Sequence, residues 1–201
     1  MLYYLGMSEE IDNILKYGRE LGFPLIKDDS VRVLIESVKK YNPKRILEIG
    51  TAIGYSGAQM LNVCDANLIT LEKNSDSANI ALQNFKKLNL QNRVQVINCD
   101  AKDYIEKCTE KFDFIFLDGP KAQYLHYKEK LIDLLNVGGV LFADNVLFRG
   151  YVKGGKEFPH RLKTIVVNLR QFLDELVNDN RLKTEIIDVG DGVSISVKIS
   201  D

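Results

Sequence analysis

The chain has 201 residues, 45 % of them apolar and 27 % charged, which suits one globular domain and excludes a disordered or fibrous chain. Lysine plus arginine number 27 against 28 aspartates plus glutamates; the net charge of −1 excludes a broadly basic nucleic-acid wrapper and leaves such a partner to a local patch. The longest charge-free run, 49–64, is too short and too polar to supply the ~20 apolar residues of a bilayer span. Cys64, Cys99 and Cys108 form no C-x-x-C pair, and Glu9, Glu10 and Asp12 stand where a signal peptide needs positive charge. A cytoplasmic protein with reduced thiols and no membrane contact is expected.

Residues 1–41 read as a helical segment. Ser8, Glu9 and Glu10 suit a helix start, Ile11, Ile14 and Leu15 share a face, and Gly22 with Pro24 closes it. A second helix carries Val31, Leu34, Ile35 and Val38 on one face, with Ser30 as its cap and Asn42-Pro43 as its stop. From residue 42 the periodicity changes. Short apolar runs at Arg45–Gly50, Asn67–Glu72, Val94–Asp100, Phe112–Asp118 and Gly138–Asp144 alternate with helical stretches. One of these, Asp76–Leu88, puts Ala78, Ala81, Leu82 and Phe85 on one face. Beyond Pro159, residues Leu162 to Leu176 trace a long amphipathic helix, and Thr184–Val189 and Val193–Ile199 flank Gly190-Asp191-Gly192 as a hairpin. The pattern predicts one α/β domain over 1–201, with a doubly wound, mostly parallel, Rossmann-like sheet in 42–201 ending in an antiparallel hairpin.

In such a sheet ligands bind beyond the carboxyl ends of the strands. Each predicted strand ends in something polar or flexible: Glu48 before Gly50, then Glu72, Asp100, Asp118 and Asp144-Asn145. A single acid there is commonly a helix cap; five on one rim point to a site. The crossover from Gly50 to Gly54 follows a strand and opens a helix, yet Ala52 occupies the place where a dinucleotide fingerprint needs its second glycine. No Gly-Lys-Ser/Thr follows to make a phosphate loop. Gly50 and Gly54 would leave room for a ligand lying against the backbone without phosphates. Glu72, twenty-two residues past Gly50, stands where an acid accepts both hydroxyls of a ribose. A nucleoside ligand without phosphates describes S-adenosylmethionine; a structural turn with a surface glutamate is the alternative.

Asp118, Asp144 and Asn145 offer hard oxygen donors that suit Mg²⁺, Mn²⁺ or Ca²⁺, and no His or Cys lies near them in sequence to favour Zn²⁺. Alternatively Asp144-Asn145 caps a turn. Lys121 follows Asp118 by three residues, and a bound cation beside it would disfavour its ammonium form, as a base for a hydroxyl proton requires. A solvated surface lysine is the plain reading. Tyr124 and Tyr127 on the same helix read as packing residues rather than pocket walls.

Three stretches, Ile-Leu-Glu-Ile-Gly-Thr-Ala-Ile-Gly-Tyr-Ser at 46–56, Phe-Leu-Asp-Gly-Pro-Lys at 116–121 and Ala-Asp-Asn-Val-Leu at 143–147, resemble the metal-dependent class I O-methyltransferases of the catechol and caffeoyl-CoA group. The resemblance runs from about Leu25 to Val197. It implies a seven-stranded sheet with its last strand antiparallel, and a homodimer. It places Ile26, Glu48, Gly50, Thr51, Ser56, Glu72, Asp100, Ala101 and Asp118 around S-adenosylmethionine, Asp118, Asp144 and Asn145 around Mg²⁺, and Lys121 with Asp118 in catalysis. Gly119-Pro120 departs from the bulkier or more polar pairs usual before that lysine.

The segment 144–152 looks closest to the bacterial tRNA 5-hydroxyuridine O-methyltransferases. The implied acceptor has two adjacent oxygens, either 5-hydroxyuridine in tRNA or a small catechol-like or caffeoyl-CoA-like molecule. Between Arg149 and Lys163, five cations (Arg149, Lys153, Lys156, Arg161, Lys163) face one acid, Glu157, beside three glycines at 150, 154 and 155. That basic stretch, with Arg149 and Lys153 as substrate residues, favours the tRNA reading. The chain also has no tryptophan to clamp a small aromatic ring. An RNA-binding module without turnover would have no need of Asp118, Lys121, Asp144 and Asn145. A nicotinamide dehydrogenase is opposed by Ala52.

Overall fold

A computed structural model describes residues 2–201, with side chains from Ser8 onward. Seven strands form one sheet: β1 (Arg45–Ile49), β2 (Asn67–Glu72), β3 (Val94–Asn98), β4 (Phe112–Leu117), β5 (Leu135–Asp144), β6 (Leu182–Ile187) and β7 (Val193–Lys198). Their order is β3-β2-β1-β4-β5-β7-β6, with β7 alone running against its two neighbours. The helices are α1 (Leu2–Glu20), α2 (Asp28–Tyr41), α3 (Tyr55–Leu61), α4 (Ser75–Lys87), α5 (Ala101–Lys107), α6 (Tyr124–Leu134) and α7 (Lys163–Asn178). None among the described residues is long and apolar enough to cross a membrane.

Alternation along the strands splits the core in two. Ile46, Phe114, Phe116 and Phe142 meet α1–α4 on one face, while Leu47, Ile115, Leu117 and Leu141 meet α5–α7 on the other. Both faces are covered, so the central strands are apolar almost throughout. The doubly wound sheet with its closing hairpin is as the sequence predicts, and β2 matches at both ends.

Local differences have local causes. α1 runs straight through Ser8, which caps nothing; no proline in residues 2–7 stops the helix earlier. Ser30 is the third residue of α2 and fully buried, while Lys27 takes the cap position and Asp28 and Asp29 meet the positive end of the helix dipole. Leu82, one residue round from Ala81, turns past the apolar stripe of α4 and is 49 % exposed. β1, β3 and β4 stop before Gly50, Asp100 and Asp118, so these residues lie on loops, free of the pleat. The hairpin strands sit up to two residues earlier than their apolar runs suggest.

That hairpin braces the loop after β5. Val146 N–H donates to Gly192 O at 3.0 Å, and Leu147 N–H to Asp191 O at 2.8 Å. Gly192, at φ +84°, lies so close under Leu147 that a Cβ there would stand 2.2 Å from the Leu147 Cγ. Gly192→Ala combines a left-handed backbone with a side-chain overlap. It is expected to cost about 1–3 kcal/mol in urea unfolding; a variant as stable as the parent would show that the loop can shift freely.

Candidate active site

Beyond the carboxyl ends of the strands lies a cavity of about 560 Å³, at the β1/β4 switch point where the strand order reverses. Gly50, Glu72, Asp100, Ala101, Asp118, Lys121 and Asn145 line it, as the sequence anticipates. Pro24, Leu25, Cys99 and Tyr127 also line it. Tyr127 therefore packs in the core and walls the pocket at once.

The glycine crossover is shaped first by the protein's own packing. Gly50, at φ +103°, sits against the Asp118 carbonyl, which a Cβ would meet at 2.5 Å. Gly54, at φ +86°, faces the Phe85 ring and Ala81 of α4. Gly54 therefore makes room for a neighbouring helix and lies off the cavity, whereas Gly50 makes room for the Asp118 carbonyl and lines the cavity as well. Ala52 adopts φ +47°, and its N–H donates to Glu72 Oε2 at 2.8 Å. Glu72 Oε1 accepts from Asn74 N–H at 2.8 Å. Two backbone donors thus aim the carboxylate, each taking one of an oxygen's two lone pairs and leaving the other for a ligand.

Asp100 caps α5 through Lys102 N–H and pairs with Lys73 at 2.8 Å. The Lys73 hydrogen bond holds its carboxyl below the usual range. It is a cap and a pocket residue together.

Glu48, Thr51 and Ser56 lie beneath the crossover and line no part of this cavity. Glu48 is fully buried and accepts from the Ser56 and Thr70 hydroxyls, while Thr51 Oγ1 meets Thr70 Oγ1 at 2.5 Å. Burial, opposed by those hydroxyls, pushes the Glu48 carboxyl up to about 7. The network joins β1, β2 and α3 and holds the loop that the cavity rests on. Ile26 belongs to the core, and its neighbours Pro24 and Leu25 form the wall instead.

The oxygen donors come together at the adjoining ends of β4 and β5. Asp118 is 17 % exposed and pairs through Oδ1 with Lys121 Nζ at 2.8 Å. Burial raises its carboxyl against the pull of that lysine. Asp144 is wholly buried; its Oδ1 accepts from Asn145 N–H at 2.8 Å, and its Oδ2 has no partner. Burial first, and Asp118 second, push the Asp144 carboxyl up to about 6, although the nearby Ser30 hydroxyl and Lys121 favour its charged form. Asn145, at φ +58°, turns from the strand end to the cavity wall. Among the described residues no group of three or more His, Cys, Asp or Glu is placed to hold a metal ion.

Tyr124 is the residue that sequence reasoning undervalued. It is fully buried, with its hydroxyl 3.0 Å from Leu117 O and 3.1 Å from Asp144 O. One hydroxyl on α6 therefore bridges the strand ends that carry both aspartates. A tyrosine in an apolar stripe looks like core in the sequence, and only the fold gives its hydroxyl a use.

Arg149 and Lys153 are exposed and do not line the cavity. Lys153 pairs with Asp188, and Lys156 donates to Arg149 O while lying 4.8 Å from the Tyr151 ring centroid. Arg170 binds the Tyr151 and Val152 carbonyls. The basic stretch is therefore fastened at several points to the body of the domain.

A model of the O-methyltransferase family matches residues 20–199. A caffeoyl-CoA O-methyltransferase of Populus kitakamiensis is 30 % identical over 206 aligned positions, covering 96 % of this chain and 87 % of its own length. An O-methyltransferase from Bacillus cereus, solved in complex with SAH, is 26 % identical with a TM-score of 0.83 and covers 94 % of this chain and 90 % of its own. PaMTH1, an SAH-bound methyltransferase of Podospora anserina, is also 26 % identical with a TM-score of 0.83, over 96 % and 88 % of the two chains.

The buried glutamate makes a pH prediction. Its ordinary value is 4.5 and its folded value about 7, so the folded state binds the proton more tightly and stability falls as pH rises between them. Glu48→Gln, neutral throughout, should flatten that fall, which is on the order of 3 kcal/mol at full effect. Urea unfolding at pH 5 and pH 8 reads it, and equal slopes in both proteins would remove Glu48 as the cause.

Proposed function

The chain belongs to the O-methyltransferase family, and from that membership we propose that it transfers the methyl of S-adenosylmethionine to one of two adjacent oxygens on a small catechol-like acceptor, with Mg²⁺ in the site. The observation that carries this reading is the buried, unpartnered Asp144 Oδ2 beside Asp118. A buried charged oxygen without a partner is costly, and a hard cation meets that need with the donor type present. Asp118, Asp144 and the Asn145 amide oxygen would hold it.

The cavity volume falls in the small-molecule range, and Glu72 offers a carboxylate already aimed by two N–H groups. The Bacillus relative, solved with the demethylated form of the same cofactor, supports that assignment. When bound, S-adenosylmethionine supplies an electrophilic methyl and Mg²⁺ a charge that favours an ionised hydroxyl. Glu72 would accept from the ribose hydroxyls, and the cavity-lining backbone at Gly50 and Ala52 would seat the cofactor. Lys121 Nζ, at the cavity wall, would take the acceptor's proton once its own ammonium, paired with Asp118, has released one to solvent. The Tyr124 hydroxyl holds the two strand ends that carry Asp118 and Asp144, so positioning would carry much of the rate.

The acceptor class follows from the relatives. The Populus enzyme is named for a caffeoyl group, whose ring bears two adjacent hydroxyls. The tRNA reading draws on the excess of basic residues between Arg149 and Lys163, but Lys153 is paired and Lys156 is engaged within the stretch itself. The small-molecule reading is favoured.

Glu72→Ala should weaken S-adenosylmethionine binding in calorimetry by roughly tenfold or more, since two hydroxyls lose a charged acceptor. Asp144→Asn should keep that affinity and lose methylation of caffeoyl-CoA. Full turnover in excess EDTA, with metal analysis showing none bound, would sink the cation's part.

The acceptor class has its own test. Neutralising Arg149, Arg161 and Lys163 together should leave methylation of caffeoyl-CoA within about twofold of the parent, because the basic stretch lies outside the cavity. Strong, salt-dependent tRNA binding by the parent, lost in the variant, would transfer the function to RNA.

A further inference from the structure

Lys121 has a second relation to the site. Its ammonium is 2.8 Å from Asp118 Oδ1, with both side chains largely sheltered at 22 % and 17 % exposure. It also acts electrostatically on Asp144, the other carboxylate. Lys121 is thus the positive charge that the structure places with this pair. We infer that Lys121 is the resident counter-ion of the cation site, and that a divalent ion must displace it from Asp118 to bind. The inference rests on the proposed cation site and adds what opposes the ion's entry.

The charge balance supports displacement. Two carboxylates and one ammonium leave one negative charge; two carboxylates and a divalent ion leave none. With the ion in place, an ammonium on Asp118 Oδ1 is surplus, and it repels the newcomer at short range in a sheltered environment. The lysine has somewhere to go. Lys121 lines the cavity, and its Nζ lies 6.0 Å from the centroid of the Tyr124 ring. Displacement would turn Nζ from a carboxylate to the space where an acceptor hydroxyl arrives, so the ion's arrival and the release of the lysine are one event. Breaking a charge-assisted hydrogen bond opposes binding by roughly ten- to a hundredfold.

The test is Mn²⁺ binding by the full chain, read from the electron paramagnetic resonance of the free ion, with no turnover required. Lys121→Met and Lys121→Gln should each bind Mn²⁺ about tenfold tighter than the parent or better, whereas Lys121→Arg, which keeps the charge, should not. Without ion, Lys121→Met should melt lower than the parent, and saturating Mn²⁺ should close most of that gap. Equal or weaker binding by both neutral variants, with the parent binding normally, would overturn the displacement. Absence of Mn²⁺ binding in the parent and every variant would instead remove the cation site, and the inference with it. Asp144→Asn separates the cases further, since it should abolish binding in each Lys121 background if the site is the one assigned.

Discussion

Asp118 and Asp144 impose the constraint on which the rest of the site depends. Burial raises the proton affinity of both carboxylates at these neighbouring strand ends, and Asp118 raises that of Asp144 further, so both can be charged only if positive charge stays with them. The fold supplies less than that pair demands. Lys121 satisfies one oxygen of Asp118, and a backbone N–H satisfies one oxygen of Asp144, while Asp144 Oδ2 makes no hydrogen bond and the carboxyl has only the Ser30 hydroxyl, itself unpartnered, nearby. A buried polar atom without a partner is uncommon in folded proteins and marks either strain or a missing ligand. Its position at the C-terminal rim of a parallel sheet, behind the cavity wall, argues for the ligand.

Holding two such groups together requires rigidity from outside the cavity. Three contacts provide it, each from a different element. The Tyr124 hydroxyl reaches the ends of β4 and β5 from α6. The hairpin turn between β6 and β7 binds the loop after Asn145, and Lys27 ties that turn back to the start of α2 through Asp191 at 2.9 Å. Gly50 lets the end of β1 press against the Asp118 carbonyl. The terminal hairpin is therefore more than a sheet extension: it is the brace for the loop that follows Asn145. The cost of burying the carboxylates is borne by packing that never touches a ligand.

What could be read from the sequence divides along physical lines. Buried parallel strands are apolar on both faces, so their runs stand out, and the polar residues that end them stand out by contrast; Glu72, Asp118 and Asp144 were legible for that reason. The spacing of Asp118 and Lys121 also put them within reach of each other. Tertiary approach was not legible. Nothing in Gly50 or Gly54 distinguishes room made for a carbonyl or a phenyl ring from room made for a cofactor, because both need only the absence of a Cβ. Glu48, Thr51 and Ser56 share a motif with true cavity residues, yet they turn away from the cavity to satisfy one another under the loop. Ser30 looked like a cap because serine often is one, whereas the depth of α2 against β5 puts its hydroxyl beside Asp144.

Charge counted along the sequence overstates charge available in space. Between Arg149 and Lys163 the sequence has an excess of four positive charges, but Asp188 on the hairpin side meets Lys153, and Lys156 reaches back to the Arg149 carbonyl and the Tyr151 ring of its own stretch. Arg149 lies over Phe148, its own neighbour, with both residues in left-handed backbone. These engagements fasten the stretch, and fastening it reduces what it can offer to a long polyanion. A small acceptor asks less of it. Arg149, Lys153 and Lys156 lie outside the cavity between Glu72 and Asn145, where solvent screens each charge and an exposed ion pair contributes little.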